Sequence, residues 1–126
     1  MNNRLIIIGA SGHGKVVADI AISMNKWKDI AFLDDNELIK KVLGLQVIGK
    51  SKDAVKYIGN SDIFVAIGNN RIREKIQEEI ELLGANIPVL FHRNAVIGTD
   101  VEIGRGTVIM AGAVINCCTL IGKGCI

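Results

Sequence analysis

RLIIIGASGHGKVV (residues 4–17) reads as a buried strand running into a glycine loop and then a helix. Leu5, Ile6, Ile7 and Ile8 form an uninterrupted apolar run with no polar alternation. Such a run suits a strand covered on both faces, over residues 4–9. Beyond the loop, Val16, Ile20 and Met24 recur at i, i+4, i+8, and Val17 and Ala21 widen the stripe, so residues 13–25 read as a helix. The loop itself, Gly9-Ala10-Ser11-Gly12-His13-Gly14-Lys15, has the spacing G-x-x-G-x-G. That is neither the G-x-G-x-x-G of common dinucleotide folds nor a Walker loop. Its physical content is the same. Glycines let the backbone turn and approach a ligand closely, and the helix start offers free N–H groups and a positive dipole end to an anion.

Working outward, strand and helix patterns alternate as far as residue 90. Residues 29–33 read as a second strand ending at Asp34-Asp35, and residues 46–48 as a short one followed by a short helix over 52–58. Residues 62–67 read as another buried strand closed by Gly68. Residues 70–83 read as a helix whose apolar face is Ile72, Ile76, Ile80 and Leu83, with Gly84 at the C-terminal cap and a last strand over 87–91. Alternation with short connections predicts an α/β fold with a parallel sheet. Ligands of such sheets bind at the carboxyl ends of the strands. The polar clusters at 10–14, 34–35 and 68–71 all follow strands, so they are expected to share one crevice.

After residue 90 a different period takes over. Ile97, Ile103, Ile109, Ile115 and Ile121 stand six apart, as do Ala95, Val101, Thr107, Ala113, Thr119 and Cys125, and glycine follows isoleucine at 98, 104 and 122. Neither an α-helix nor a hairpin meander has that period; short strands and turns stacked coil on coil do. The isoleucines are expected to point inward and the smaller residues to fit the corners, Cys125 among them.

Composition limits the partners. The net charge is only +2, the basic residues are scattered, and aromatics make up 4% of the chain, which argues against nucleic acid and anionic membrane. No apolar run approaches the length of a membrane span, and the N-terminus lacks the features of a signal peptide. The three cysteines, two of them adjacent (Cys117 and Cys118), make a poor disulfide framework, so reduced thiols and a cytoplasmic location are expected. With only two histidines and no C-x-x-C pair, no metal site is expected.

Each candidate site residue has a plain and a functional reading. His13 either caps a nearby carbonyl or donates to a phosphate or sugar. Asp34 and Asp35 either accept ribose hydroxyls or cap the next turn. Asn70 is a candidate N-cap, and Asn amides could equally read a base or sugar. Arg71 or Arg73 either reaches a phosphate or forms a surface salt bridge. His92 reads as a satisfied histidine at a domain junction.

GASGHGK after a strand, then FLDD, then AIGNN-R-IR, then a hexapeptide tail, together resemble the sialic acid O-acetyltransferase family of bacterial sugar acyltransferases, over the whole chain. That family includes N-acetyltransferases acting on UDP-4-amino sugars such as the bacillosamine precursor. The resemblance implies a small Rossmann-like nucleotide-sugar-binding domain over residues 1–90. It also implies the first coils of a left-handed parallel β-helix over 91–126, incomplete because residues 95–126 supply fewer than two 18-residue coils. Ser11, Gly12, His13 and Gly14 would lie by the phosphates of a UDP-sugar. Asp34 and Asp35 would contact the uridine or ribose side, with Gly68, Asn69 and Asn70 lining the same cleft. Acetyl-CoA would bind between neighbouring β-helices of a homotrimer. The family's general base is a histidine in an N-T-…-H-D segment, which would begin just after Ile126. No catalytic residue is therefore expected among these 126 residues. The implied activity is acetyl transfer to the amine or hydroxyl of an activated sugar or sialic acid. The chain alone, as a truncated or degenerate copy, is expected to bind nucleotide without catalysis. A non-catalytic nucleotide-binding module is the first alternative, and a nicotinamide oxidoreductase fragment the second, against which the glycine spacing and the repeat tail both speak.

Overall fold

β1 (Arg4–Ile8) occupies the interior of a five-stranded sheet because it has no polar face: Leu5 and Ile7 enter one core, Ile6 and Ile8 the other, and all four are buried. The computed structural model describes residues 2–126. Parallel neighbours flank β1, with β2 (Asp29–Leu33) on one side and β5 (Asp62–Val65) on the other. β4 (Leu45–Gly49) extends the sheet from β2 in parallel, and β3 (Lys41–Val42) closes that edge as an antiparallel hairpin, giving the order β3-β4-β2-β1-β5. The chain thus moves outward from β1 through β2 and β4, then crosses back for β5. This reversal sets the carboxyl ends of β1 and β5 side by side, at the switch point where such sheets bind ligands.

α1 (Gly12–Met24) covers the Leu5/Ile7 face. Its buried stripe is Gly14, Val17, Ala18, Ile20 and Ala21, whereas Val16, expected within it, is 44% exposed. α2 (Asn70–Leu82) departs further from expectation. It buries Arg73, Gln77 and Ile80 and leaves Ile72 and Leu83 exposed. The cause is its second neighbour. Arg73 Nε donates to the Gly124 carbonyl and Gln77 Nε2 to that of Arg105, so backbone acceptors of the repeat region select polar residues for the helix's inner face. The expected cap at Gly84 is present: Gly84 N–H reaches the Glu81 carbonyl and Ala85 N–H that of Ile80, the paired bonds of a Schellman end. The segment expected as a helix over 52–58 is a 3-10 helix at Ser51–Tyr57. The strand expected over 62–67 ends at Val65, and that over 87–91 shrinks to two residues. β3 was not legible, because its two-residue turn puts Leu43 beside Gly44 at positive φ, and leucine is a weak signal for that conformation.

Six two-residue strands build the tail: β6 (Leu90–Phe91), β7 (Val96–Ile97), β8 (Glu102–Ile103), β9 (Val108–Ile109), β10 (Val114–Ile115) and β11 (Leu120–Ile121). They pair in parallel as β6–β9, β7–β10 and β8–β11, each partner 18 residues on, so one coil takes three strands. The ladder opens at Leu90 rather than near Ala95 and completes two coils, not fewer. The strand expected over 87–91 is thus the first of the coil, a role masked because Phe91 takes the place of an isoleucine. The outward pair Leu90 and Val108 is buried against Val17 and Ala18, so the first face of the prism belongs to the core under α1. On the next face the outward Val96 and Val114 are 60% and 67% exposed. Cys125 is exposed rather than packed in its corner.

A further column escaped the sequence reading. Asp100, Gly106, Gly112, Cys118 and Gly124, again six apart, all have positive φ at the corners. Asp and Cys interrupt the glycines, which masks the period. Cys118 at φ 64° carries a Cβ where glycine would be unstrained. Cys118→Gly is therefore expected to raise stability by about 1 kcal/mol, a few degrees in a thermal melt. An unchanged or lower midpoint contradicts this.

Candidate functional site

The glycine loop is held by bonds from its first residues. Gly9 N–H donates to the Leu33 carbonyl and Ala10 N–H to Asp34 Oδ2 at 2.8 Å, which ties the loop after β1 to the end of β2. Gly9 also packs against the end of β5, where a Cβ would meet the Ala66 carbonyl oxygen at 2.7 Å. Ser11 is the N-cap of α1, yet its hydroxyl makes no capping bond, and the first intrahelical bond runs from Lys15 N–H to the Ser11 carbonyl. The N–H groups of Gly12, His13 and Gly14 precede that bond and have no intrahelical acceptor. Together with the helix dipole they form an anion-seeking end.

The two helical glycines differ in kind. Gly14 is buried, and a Cβ there would collide with the Gly9 carbonyl oxygen, so its side chain position is filled by the loop itself. At Gly12 nothing lies within 4 Å of that position. Gly12 thus leaves room for a ligand, and Gly14 leaves room for the backbone.

His13 Nε2 is buried without a hydrogen-bond partner among the described residues. The imidazole is held below its ordinary pKa of 6.5, first by burial and second by the positive charge of Arg73. Below pH 6.5 the unfolded chain therefore takes up a proton at His13 that the folded chain resists, so stability falls with acidification through that window. In paired melts at pH 7 and pH 5.5, His13→Gln is expected to lose less of its midpoint than the parent chain. An equal loss in both contradicts the assignment.

Asp34 spends both carboxylate oxygens on backbone: Oδ2 on Ala10 N–H and Oδ1 on Asn36 N–H, each at 2.8 Å. Asp35 is directed instead to Ser51, accepting from its N–H at 2.9 Å and its hydroxyl at 2.8 Å. The bonds from the Ser51 backbone and then the Ser51 hydroxyl hold the Asp35 carboxyl below its usual range. Asp34 thus caps the turn that follows it, whereas Asp35 reaches past that turn to Ser51. Asp34 adjoins the glycine loop, and Asp35 anchors the start of the 3-10 helix.

In the loop after β5, Gly68 has open space where a Cβ would stand. Asn69, not Asn70, is the N-cap of α2: its Oδ1 accepts from Arg71 and Ile72 N–H at 3.0 Å. Asn70 Oδ1 accepts from Arg73 Nη2 at 2.8 Å and faces the groove between α2 and the second coil. Arg73, read as a surface or phosphate-reaching side chain, is buried and makes no salt bridge among the described residues. Asp62, buried at the opposite end of the sheet and not singled out from sequence, accepts from Trp27 Nε1, Asn2 Nδ2 and Asn86 Nδ2. His92 is satisfied, its Nδ1 accepting from Asn94 N–H at 3.0 Å. Ser11, Gly12, His13 and Gly14 thus stand together at the start of α1, Asp34 is bonded to the loop that leads into it and Gly68 lies on the loop after β5, while Asp35 and Asn70 are bonded to Ser51 and Arg73.

Residues 4–80 match a protein family described as the PglD N-terminal domain. The chain belongs to the PglD N-terminal domain family. It is 32% identical over 108 residues to UDP-N-acetylbacillosamine N-acetyltransferase of Bacillus subtilis (83% of this chain, 50% of that one). It is 30% identical over 127 residues to GDP-perosamine N-acetyltransferase of Escherichia coli O157:H7 (93% and 55%). Among solved structures, the acetyltransferase domain of PglB from Neisseria gonorrhoeae, in complex with acetyl coenzyme A, superposes with a TM-score of 0.92 at 40% identity, covering 98% of this chain and 60% of that one. PerB from Caulobacter crescentus, in complex with CoA and GDP-perosamine, gives 0.83 at 33% identity, with 94% and 56% covered. The chain thus spans about half the length of the curated relatives it matches. The α/β sheet and hexapeptide β-helix expected of the family are both present. Among the described residues no helix is long and apolar enough to cross a membrane, and no His, Cys, Asp and Glu group is arranged to hold a metal.

Proposed function

We propose that this chain is the nucleotide-sugar-binding part, with the first β-helix coils, of an acetyl-CoA-dependent N-acetyltransferase acting on a UDP-linked amino sugar. The observation that carries this reading is the uncapped N-terminus of α1 beside the unpartnered Nε2 of His13, at the carboxyl end of β1. Three free N–H groups and a neutral imidazole form a donor set suited to a diphosphate. The neighbouring turn at Asp34 fixes the loop that presents them. Nitrogen rather than oxygen as acceptor is supported by the names of the relatives, which are N-acetyltransferases of nucleotide-linked amino sugars. Acetyl-CoA is the expected donor, a ligand found in the Neisseria structure. A homotrimer in the cytoplasm completes the proposal, and the outward Val96 and Val114 supply an apolar face for it.

Taken alone, these 126 residues are proposed to bind nucleotide without transferring acetyl. His92 Nδ1 is committed to Asn94, and His13 sits in the diphosphate cleft, so neither is free to take the proton of an attacking amine. Acetyl transfer by the purified chain would refute that. The nucleotide assignment is tested by calorimetric titration with UDP, GDP and NAD. UDP binding between about −8 and −4 kcal/mol with no response to NAD supports it. NAD binding without UDP returns the chain to the oxidoreductase reading.

A further inference from the structure

Arg73 is 7% exposed, and among the described residues its guanidinium forms no ion pair. Among the described residues the ion pairs are Lys50–Glu37, Lys56–Asp53 and Lys123–Glu81. Its donors go to neutral acceptors instead. Nη1 reaches the carbonyls of Ile67 at 3.0 Å and Gly68 at 3.3 Å, Nε that of Gly124 at 3.2 Å, and Nη2 the Asn70 amide oxygen at 2.8 Å. Carbonyl dipoles satisfy the N–H groups without neutralising the charge, and although Arg73 borders the groove between α2 and the second coil, Glu74, Glu78 and Glu81 of that groove form no ion pair with it among the described residues; a largely buried charge of this kind is costly unless an anion is close.

The position of that charge indicates where the anion would be. The carbonyls of Ile67 and Gly68 belong to the loop that abuts Gly9, whose missing Cβ would lie 2.7 Å from the Ala66 oxygen and 3.4 Å from Ile67 Cγ1. Arg73 therefore stands behind the loop after β5, whose other neighbour is Gly9 of the glycine loop. It is near enough to disfavour a proton on His13. The cleft thus combines a helix N-terminus, a neutral donor in front and a fixed cation behind.

We propose that Arg73 is a positioning residue for the diphosphate: its buried, unpaired charge makes the cleft prefer an anionic ligand to an uncharged one, with no contact between guanidinium and phosphate. The inference rests on reading this cleft as the nucleotide site. Its rival is a purely structural role, in which Arg73 only fastens the Ile67–Asn70 loop to Gly124 of the second coil. The two differ in their dependence on ligand charge. A fastening residue supports every ligand alike, whereas a charge acts on phosphates and leaves a nucleoside unaffected.

The test is a matrix of dissociation constants for the full chain with inorganic pyrophosphate, uridine and UDP, in the parent, Arg73→Gln and Arg73→Lys. Arg73→Gln is expected to weaken pyrophosphate and UDP by about tenfold and uridine by less than about twofold. Arg73→Lys is expected to recover most of the loss, since it keeps the charge and gives up the fork of bonds. Equal losses for uridine and UDP, or UDP binding untouched in Arg73→Gln, overturn the inference while leaving the nucleotide site standing. Pyrophosphate bound in a charge-dependent way, with UDP no tighter, sustains the inference and overturns the nucleotide reading. No binding of pyrophosphate to the parent chain overturns the inference. Should Arg73→Gln not fold, Arg73→Lys decides: a preserved preference for UDP over uridine supports the role of charge, and its disappearance contradicts it.

Discussion

Gly14→Ala is expected to lower the thermal midpoint by roughly 10–20 °C, a loss of about 3–4 kcal/mol, and to abolish nucleotide binding with it. The reason is geometric. The methyl group would enter the space held by the Gly9 carbonyl oxygen, and the neighbouring ring of Phe32 blocks an escape on the inner side. Gly9 cannot retreat either, because its other side rests on the Ala66 carbonyl and its N–H is fixed to Leu33. The strain therefore spreads through β1, β2 and β5 at once. Gly12→Ala is the matched control. With open space at that position, alanine should fold as well as glycine or slightly better, by up to about 1 kcal/mol from helix propensity. Its methyl group would nonetheless stand in the cleft, and UDP affinity should fall. A Gly14→Ala protein that melts with the parent would show that the close approach of loop and helix is not required.

Asp34→Ala is expected to cost about 2–3 kcal/mol of stability and to weaken UDP by roughly 10- to 100-fold, because two backbone donors lose a charged acceptor. One of them, Ala10 N–H, sets the path of the chain into Ser11 and Gly12. The other, Asn36 N–H, closes the turn after β2. Asp34→Asn keeps one amide oxygen and presents N–H to the second donor, so it should lie between the parent and the alanine variant. If Asp34 instead served by direct contact with ribose alone, both variants would weaken UDP while leaving the melt unchanged. Denaturation and titration of the same two proteins separate these roles.

Much of this architecture was readable from residue patterns, for identifiable reasons. The run Leu5–Ile8 left no polar face, so an interior strand was the only outcome that satisfied it. The isoleucines at six-residue spacing specified the coil, since no other regular structure repeats at that period. What could not be read was set by partners remote in sequence. The inner face of α2 follows from carbonyls at Arg105 and Gly124, which turn Arg73 and Gln77 inward at the expense of Ile72 and Leu83. The first coil was partly concealed because Phe91 stands in the isoleucine column and Leu90 packs under α1. Spacing placed Asp34 and Asp35 directly after β2, and Asn69 and Asn70 at the start of α2 beyond β5. Sequence holds no information on which oxygen meets which backbone donor, and those bonds divide the residues that face the cleft from those that brace it. Arg73 was the least legible of all, since a buried cation without an acid has no signature in composition or period.

The central claim is that the N-terminus of α1, not the groove between α2 and the second coil, receives the nucleotide. Amide chemical shifts of the isotopically labelled chain, followed as UDP is added, test it most directly. The largest saturable changes are expected at Gly12, His13 and Gly14, with smaller ones at Ala10 and Gly68, and little movement at Glu78, Glu81 or Lys123. Changes concentrated on Glu78, Glu81 and Lys123, or spread without saturation over the surface, would contradict it.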